Sequence, residues 1–166
     1  MKKSILLIFL LCGCVNVEKN KLNRAEEPEY LIKADLYVGF HEVKNRAALR
    51  KFLSVDPVNY EWCAAFVNAA LNSQGIPGSE SVSENSLLAR NFLKWGKEVD
   101  EPRIGDVIVF PRGSEEWQGH VGFYILTATV DGVEYYAILG GNQDDKVSYE
   151  LYPSSTAIGI RRPKSN

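Results

Sequence analysis

Residues 105–127, GDVIVFPRGSEEWQGHVGFYILT, hold two β-rich segments on either side of a polar loop. Both segments have the period-two pattern and the branched and aromatic residues of strands, which predicts an antiparallel pair. The dipeptide Asp131-Gly132 is a strong hairpin-turn signal that leads into a third strand. The predicted strands are 105–110, 120–127, 133–139, 146–152 and 157–162, so the sequence predicts an antiparallel sheet of about five or six strands.

The part of the chain before this sheet has a helical pattern. Asn45 is a suitable N-terminal cap, and apolar residues follow it at three- and four-residue spacing. The run WCAAFVNAAL at 62–71 leaves little polar surface, which predicts a buried helix that begins between Asn59 and Trp62 and ends by Gly75. Further helices are predicted at 31–38 and 87–95. Helices that precede antiparallel strands indicate an α+β domain with the helices packed on the sheet.

The N-terminus, MKKSILLIFLLCGC, has two lysines, a short apolar run and then small residues. This is the pattern of a secretion signal, and its end resembles the lipobox of bacterial lipoproteins, in which cleavage precedes the last cysteine. We therefore predict a signal peptide at 1–13, a lipidated Cys14 with a flexible tether over 14–29, and a folded domain over 30–166. The alternative is a plain signal peptide with an incidental cysteine. The expected location is the cell envelope, at the outer membrane facing the periplasm if the host has two membranes.

Composition excludes some partners. The chain has 166 residues and a formal net charge of −2, so no broad basic surface is present to hold nucleic acid through its phosphates. Cys63 and the two distant histidines form no closely spaced ligand pair, so we predict neither a metal site nor another cofactor. We expect a monomer.

Cys63 is the one cysteine of three that neither leaves with the signal nor lies at the lipidation position. An unpaired thiol is either buried and inert or retained for its reactivity, and free cysteine is among the most buried residue types. Its predicted position in the first turn of a helix favours ionisation, because the helix dipole and unpaired N–H groups stabilise a thiolate. The residues alone leave both interpretations open.

His120 begins one predicted strand and Asn142 follows the next, so both can meet Cys63 at one edge of the sheet. An imidazole can accept the thiol proton, and a side-chain carbonyl can hold the imidazole in the required tautomer. Taken singly, His120 fits an ordinary surface histidine and Asn142 fits a turn residue. Asn59 or Tyr60 are candidate oxyanion donors beside the N–H of Cys63 itself.

Two tryptophans are candidates for a substrate cleft. Trp62 precedes the candidate nucleophile, and Trp117 lies in the polar loop before His120. Packing in the core is the commoner use of tryptophan.

Five segments, WCAAFVNAALNSQGIPG, ARNFLKWG, PRIGDVIVF, GHVGFYI and ILGGNQDDKVS, together resemble the NlpC/P60 and CHAP superfamily of papain-like cysteine peptidases, in particular a small phage- and bacteria-associated subgroup. The resemblance covers about residues 31–163. It implies a papain-like α+β fold, a peptidoglycan substrate, Cys63 as nucleophile, His120 as general base and Asn142 as the third polar residue. Many NlpC/P60 members have a histidine at that third position, and this chain does not.

The expected function is therefore hydrolysis of an amide bond in the stem peptide of peptidoglycan, or at its link to the sugar, through a thioacyl-enzyme. Two alternatives stay open at this stage: a non-catalytic wall-binding lipoprotein on the same scaffold, and an acyltransferase that uses the same three residues. The sequence does not tell which amide is cut, nor whether the protein remodels its own wall or attacks another.

Overall fold

The computed structural model describes residues 15–17 and 27–164. The predicted signal peptide and Cys14 lie outside these residues. None of the helices in the described part of the chain is long and apolar enough to cross a membrane. The helices are α1 Glu29–Asp35, α2 Arg46–Leu53 and α3 Cys63–Asn72, with short 3-10 helices at Ser79–Ser81, Ala89–Lys94 and Ser154–Thr156. The strands are β1 Val15–Val17, β2 Lys97–Glu98, β3 Val107–Pro111, β4 Gly119–Val130, β5 Val133–Gln143, β6 Lys146–Pro153 and β7 Gly159–Arg162.

The predicted α+β architecture is confirmed. All strand pairs of the described sheet are antiparallel, in the order β2-β7-β3-β4-β5-β6, and β1 pairs with β4 outside this path. Each of the five predicted strands is present. The two short strands β1 and β2 were not predicted, and β1 lies in the segment expected to be a tether. The predicted fourth helix is the 3-10 helix at Ala89–Lys94.

The helices cover one face of the sheet. α3 packs against β4 and β5 and is flanked by α1 and α2. Its alanines favour the helix, and its side chains at Phe66, Val67 and Leu71 are fully buried. Burying each such side chain stabilises the fold by about 1.5–3 kcal/mol relative to leaving it in water.

The opposite face of the sheet has its own, smaller apolar cluster. Because strand residues alternate, Val107 and Val109 face the helices, whereas Ile108 and Phe110 join this second cluster with Tyr124 and Ile138. Aromatic side chains of β5 and β6 complete it, at Tyr136 and Tyr152.

Candidate active site

Cys63 is the first residue of α3, as predicted. Its side chain is only 3% exposed, and it is a free thiol. The backbone N–H groups of Val121 and Ala64 lie near the sulfur and lower the pKa of the thiol. The first of these contacts places the sulfur against β4, at the residue that directly follows His120.

His120 lies near the start of β4, opposite Phe110 of β3, and is 1% exposed. Its ring is nearly parallel to that of Tyr152, with 5.3 Å between the ring centroids. The β4–β5 pairing begins only at Phe123, opposite Leu139, so the first residues of β4 extend beyond it. The N-terminus of α3 reaches β4 at Val121, in the stretch that pairs with β3 but not with β5.

Gln143 determines which nitrogen of His120 carries the proton. The Gln143 amide nitrogen donates to the backbone carbonyl of Ser148, at 2.7 Å, and that oxygen can only accept. The amide carbonyl oxygen therefore faces His120 and lies 3.0 Å from its Nε2. Nε2 must be the protonated nitrogen, because an acceptor oxygen requires a donor opposite it. The remaining nitrogen, Nδ1, consequently presents a lone pair.

A second hydrogen bond to Gln143 reinforces this orientation. The Arg112 guanidinium lies near the Tyr152 hydroxyl and lowers its pKa, and this hydroxyl donates to the Gln143 carbonyl oxygen at 3.3 Å. That oxygen thus accepts from both Tyr152 and His120. Sequence reasoning missed Arg112, Gln143 and Tyr152, since no motif marks them.

Within the described part of the chain, Nδ1 of His120 is buried and has no hydrogen-bond partner, the sulfur of Cys63 included. A buried nitrogen with an unused lone pair is uncommon and is typical of functional positions. Hydrogen bonds between catalytic groups are often long in ligand-free enzymes and tighten when substrate binds.

Burial keeps both candidate groups uncharged. It raises the pKa of the Cys63 thiol, against the positive charge of Arg112 and the two N–H donors. Burial and then the charge of Arg112 lower the pKa of His120 to about 3, against the hydrogen bond to Gln143. The closed site therefore holds a thiol and a neutral imidazole, which is the protonation state that a general base needs before reaction.

The low pKa of His120 predicts a loss of stability in acid. Between pH 6.5 and about 3 the unfolded chain binds a proton at this residue that the folded chain does not. Stability is thus retained above pH 6.5 and falls with pH below it, by at most about 1.4 kcal/mol per pH unit. Urea unfolding of the wild type and of His120→Gln at pH 7 and pH 5 checks this. The wild type should lose about 2 kcal/mol more than the variant. An equal loss of unfolding free energy in the wild type and in His120→Gln would contradict the prediction.

Asn142 does not contact His120, which corrects the expected third member of the site. Its side-chain amide donates to the carboxylate of Glu61, at 2.6 Å, and its backbone φ is 59°. Regular alternation would put Asn142 on the same side of β5 as Gly140, where an added Cβ would lie 3.2 Å from His120 Nε2. The left-handed residue and the irregular β5–β6 pairing between Gly140 and Gln143 break that alternation. Gln143 therefore takes the inward position.

Of the two tryptophans expected at a substrate cleft, Trp62 differs from the expectation and Trp117 does not. Trp62 is fully buried, and its indole N–H donates to Glu42 at 3.0 Å, so it does not line a cleft. Its ring packs beneath Gly141, where an added Cβ would lie 2.5 Å from it. Trp117 is 60% exposed and stays a candidate for substrate contact.

The two candidate oxyanion side chains lie in the exposed turn before α3. Asn59 donates its amide to Asp56, at 3.5 Å, and Tyr60 is 55% exposed. Among the described residues no hydrogen bond joins either side chain to Cys63. The backbone N–H groups at the start of α3 are better placed for that role.

No group of three or more His, Cys, Asp or Glu side chains is arranged to hold a metal within residues 15–17 and 27–164. The site itself offers a thiol, an imidazole and amide groups. Those three types suffice for nucleophilic attack on an acyl carbon with proton transfer.

Comparison with known proteins adds the family. The chain matches the CHAP domain over residues 55–142, which is more than half of its length and includes Cys63 and His120. A search of curated proteins gave no match. CHAP domains are usually cysteine peptidases or amidases that act on peptidoglycan. The matched segment and the antiparallel α+β fold agree with each other, and the chain belongs to the CHAP domain family.

Proposed function

We propose that the protein is a peptidoglycan hydrolase that cleaves an amide bond, either in the stem peptide or at its link to the sugar. Cys63 is the nucleophile, His120 is the general base and Gln143 orients His120. The observation that carries the proposal is the state of the imidazole. Its Nε2 is bound to Gln143 and its Nδ1 is left free, while the neighbouring Val121 N–H contacts the Cys63 sulfur.

The reaction begins with proton transfer from Sγ of Cys63 to Nδ1 of His120, which leaves a thiolate and an imidazolium. The thiolate attacks the carbonyl carbon of the amide, and the C=O electron pair moves onto the oxygen. As the tetrahedral intermediate collapses, the C–N bond breaks and the imidazolium protonates the leaving amine. Water, deprotonated by Nδ1, then attacks the thioester carbonyl carbon, the C–S bond breaks with its electron pair on sulfur, and the released thiolate takes a proton from the imidazolium.

The negative oxygen of the intermediate is stabilised by backbone N–H groups at the start of α3, first of all that of Cys63. These groups are among the donors that an α-helix leaves unpaired at its N-terminus. Because they are fixed in direction before the reaction, they stabilise developing charge without reorganisation.

Access to the sulfur requires local movement, since Cys63 and His120 are both nearly inaccessible. The side chains of Glu61 and Asn142 are joined next to the site, and Arg112 donates to the Asn142 carbonyl oxygen at 3.1 Å. Glu61 is exposed, so its contact with Asn142 is inexpensive to break.

The burial of Cys63 also favours a second candidate, a wall-binding protein that does not cut. In that case the same surface holds stem peptides, and the thiol is inert. The free lone pair on His120 argues for the enzyme, because a binding scaffold has no need of a buried, unpartnered base. Acyl transfer to an amine uses the same residues and differs only in the final acceptor.

Mass spectrometry of the products tests the proposed reaction. Purified peptidoglycan incubated with the full chain should release new fragments, each with one new amine and one new carboxylate. Free stem peptides would identify cleavage at the sugar link, and shortened peptides would identify endopeptidase activity. An added amine that appears in the products would identify acyl transfer. No difference from a Cys63→Ser incubation would overturn the proposal.

The proposed location is the cell envelope, with the protein held by acyl chains on Cys14. The support is the sequence pattern of two lysines, an apolar run and Leu-Cys-Gly-Cys at 11–14. Globomycin treatment of expressing cells tests it, because a lipoprotein precursor should then accumulate uncleaved. Unchanged processing, or no incorporation of labelled palmitate, would contradict the anchor.

A further inference from the structure

Arg112 connects the groups around His120. It follows β3 directly, and β3 pairs with the start of β4, where His120 lies. One guanidinium nitrogen donates to the Asn142 carbonyl oxygen at 3.1 Å, and the guanidinium also lies near the Tyr152 hydroxyl, whose pKa it lowers. These two groups lie on the residue before Gln143 and on the ring stacked against His120. The half-buried guanidinium is therefore held beside the site by the Asn142 carbonyl, next to the Tyr152 side chain.

The charged and titratable groups that act on the Cys63 sulfur come from several elements. Arg112 brings a positive charge from the β3–β4 loop, and Glu61 brings a negative charge from the turn before α3. The Glu61 carboxylate is exposed and partly neutralised by the Asn142 amide. His120 from β4 and Tyr152 from β6 are both uncharged near neutral pH, since burial holds the pKa of the first at about 3 and raises that of the second to about 12.

We propose that Arg112 is a positioning residue of this site, whose fixed guanidinium supplies the positive charge that holds the Cys63 sulfur as a thiolate during attack. The inference rests on the proposed role of Cys63 as nucleophile. A thiolate in a buried site needs such a charge, because burial alone favours the neutral thiol. Arginine suits the position because its planar fork can bind the Asn142 carbonyl and the Tyr152 hydroxyl while its charge stays delocalised.

The same charge favours the ionised form of the thiol but disfavours the ionised form of the imidazole. Arg112 lowers the pKa of the Cys63 thiol and also lowers that of His120. Removal of its charge should therefore raise both values. Loosening of the site would act differently, because exposure to water would bring the raised pKa of the thiol down toward its ordinary value. The direction of the change in the thiol thus separates an electrostatic role from a structural one.

The test compares the full chain with Arg112→Met and Arg112→Lys. The rate of Cys63 alkylation by iodoacetamide is measured across pH, with Cys63→Ser as the control for labelling at Cys12 and Cys14. Arg112→Met keeps the length of the side chain without its charge and should move the midpoint upward by about one pH unit, so that alkylation below the midpoint is about tenfold slower. Arg112→Lys should recover much of that loss.

An unchanged or lowered alkylation midpoint in Arg112→Met would overturn the inference. It would also be overturned if the midpoint of Arg112→Lys were as far from the wild-type value as that of Arg112→Met. Alkylation needs no peptidoglycan, so this result is independent of the hydrolysis assay. Undiminished cleavage by Cys63→Ser would defeat the proposed function whatever the alkylation shows.

Discussion

The Cys63→Ala variant is expected to stay folded but to release no fragments from peptidoglycan. Without the sulfur no thioacyl intermediate forms, and the loss should be at least about 10³-fold, to the background of the assay. The change removes one buried atom, so the free energy of unfolding should fall by no more than about 2 kcal/mol. High-resolution mass spectrometry of the released fragments measures the loss of activity, and thermal unfolding measures the change in stability.

Cys63→Ser is the matched control for this experiment. The hydroxyl keeps nearly the size of the thiol and can donate a hydrogen bond to Nδ1 of His120, but it loses its proton far less readily. We expect the fold to be retained and the activity to be as low as in the alanine variant. Cleavage by either variant at the wild-type rate would rule out Cys63 as the nucleophile.

The second large effect is expected at Gln143 and not at its neighbour. Gln143→Ala removes the acceptor that holds His120 in its tautomer, so Nε2 no longer has a defined partner. Loss of correct proton transfer should lower kcat by about 10²-fold or more. Because this hydrogen bond also raises the pKa of His120, its loss should move the acidic limb of the pH–rate profile to lower pH.

Asn142→Gly is the matched variant. Glycine tolerates the φ of 59° at this position, so the backbone and its carbonyl contact with Arg112 stay in place while the side chain is lost. Activity within a few-fold of the wild type is expected. If Asn142→Gly is as inactive as Gln143→Ala, or if Gln143→Ala retains both its rate and its pH profile, the assignment of the orienting residue is wrong.

The strands and the buried helix α3 could be predicted because local sequence patterns determine them. Alternating β-branched residues gave the five longer strands, and the alanine-rich apolar run gave α3 with Cys63 in its first turn. The 3-10 helix at Ala89–Lys94 was not distinguished from an α-helix, since the three-residue spacing of the buried Ala89, Phe92 and Trp95 fits both structures. The strands β1 and β2 are too short for any period to appear.

The third member of the site could not be predicted by counting along β5. Alternation from Gly140 leads to Asn142, and only the left-handed turn at Asn142 transfers the inward position to Gln143. One signal was available: an asparagine that follows two glycines tolerates such a backbone, which is a reason to suspect a bulge there. The part played by Arg112 was hidden for a different reason, because it depends on contacts with Asn142 and Tyr152 that are distant in sequence.

The enclosure of Cys63 has a consequence for the durability of the protein. Oxidation of cysteine by peroxide proceeds through the thiolate and requires contact with the reagent, and both are suppressed at a neutral, 3% exposed thiol. The sulfur is thereby shielded from conversion to sulfenic and sulfinic acids between encounters with substrate. A nucleophile that is uncovered only during brief local movements of its surroundings would combine reactivity with a long chemical lifetime.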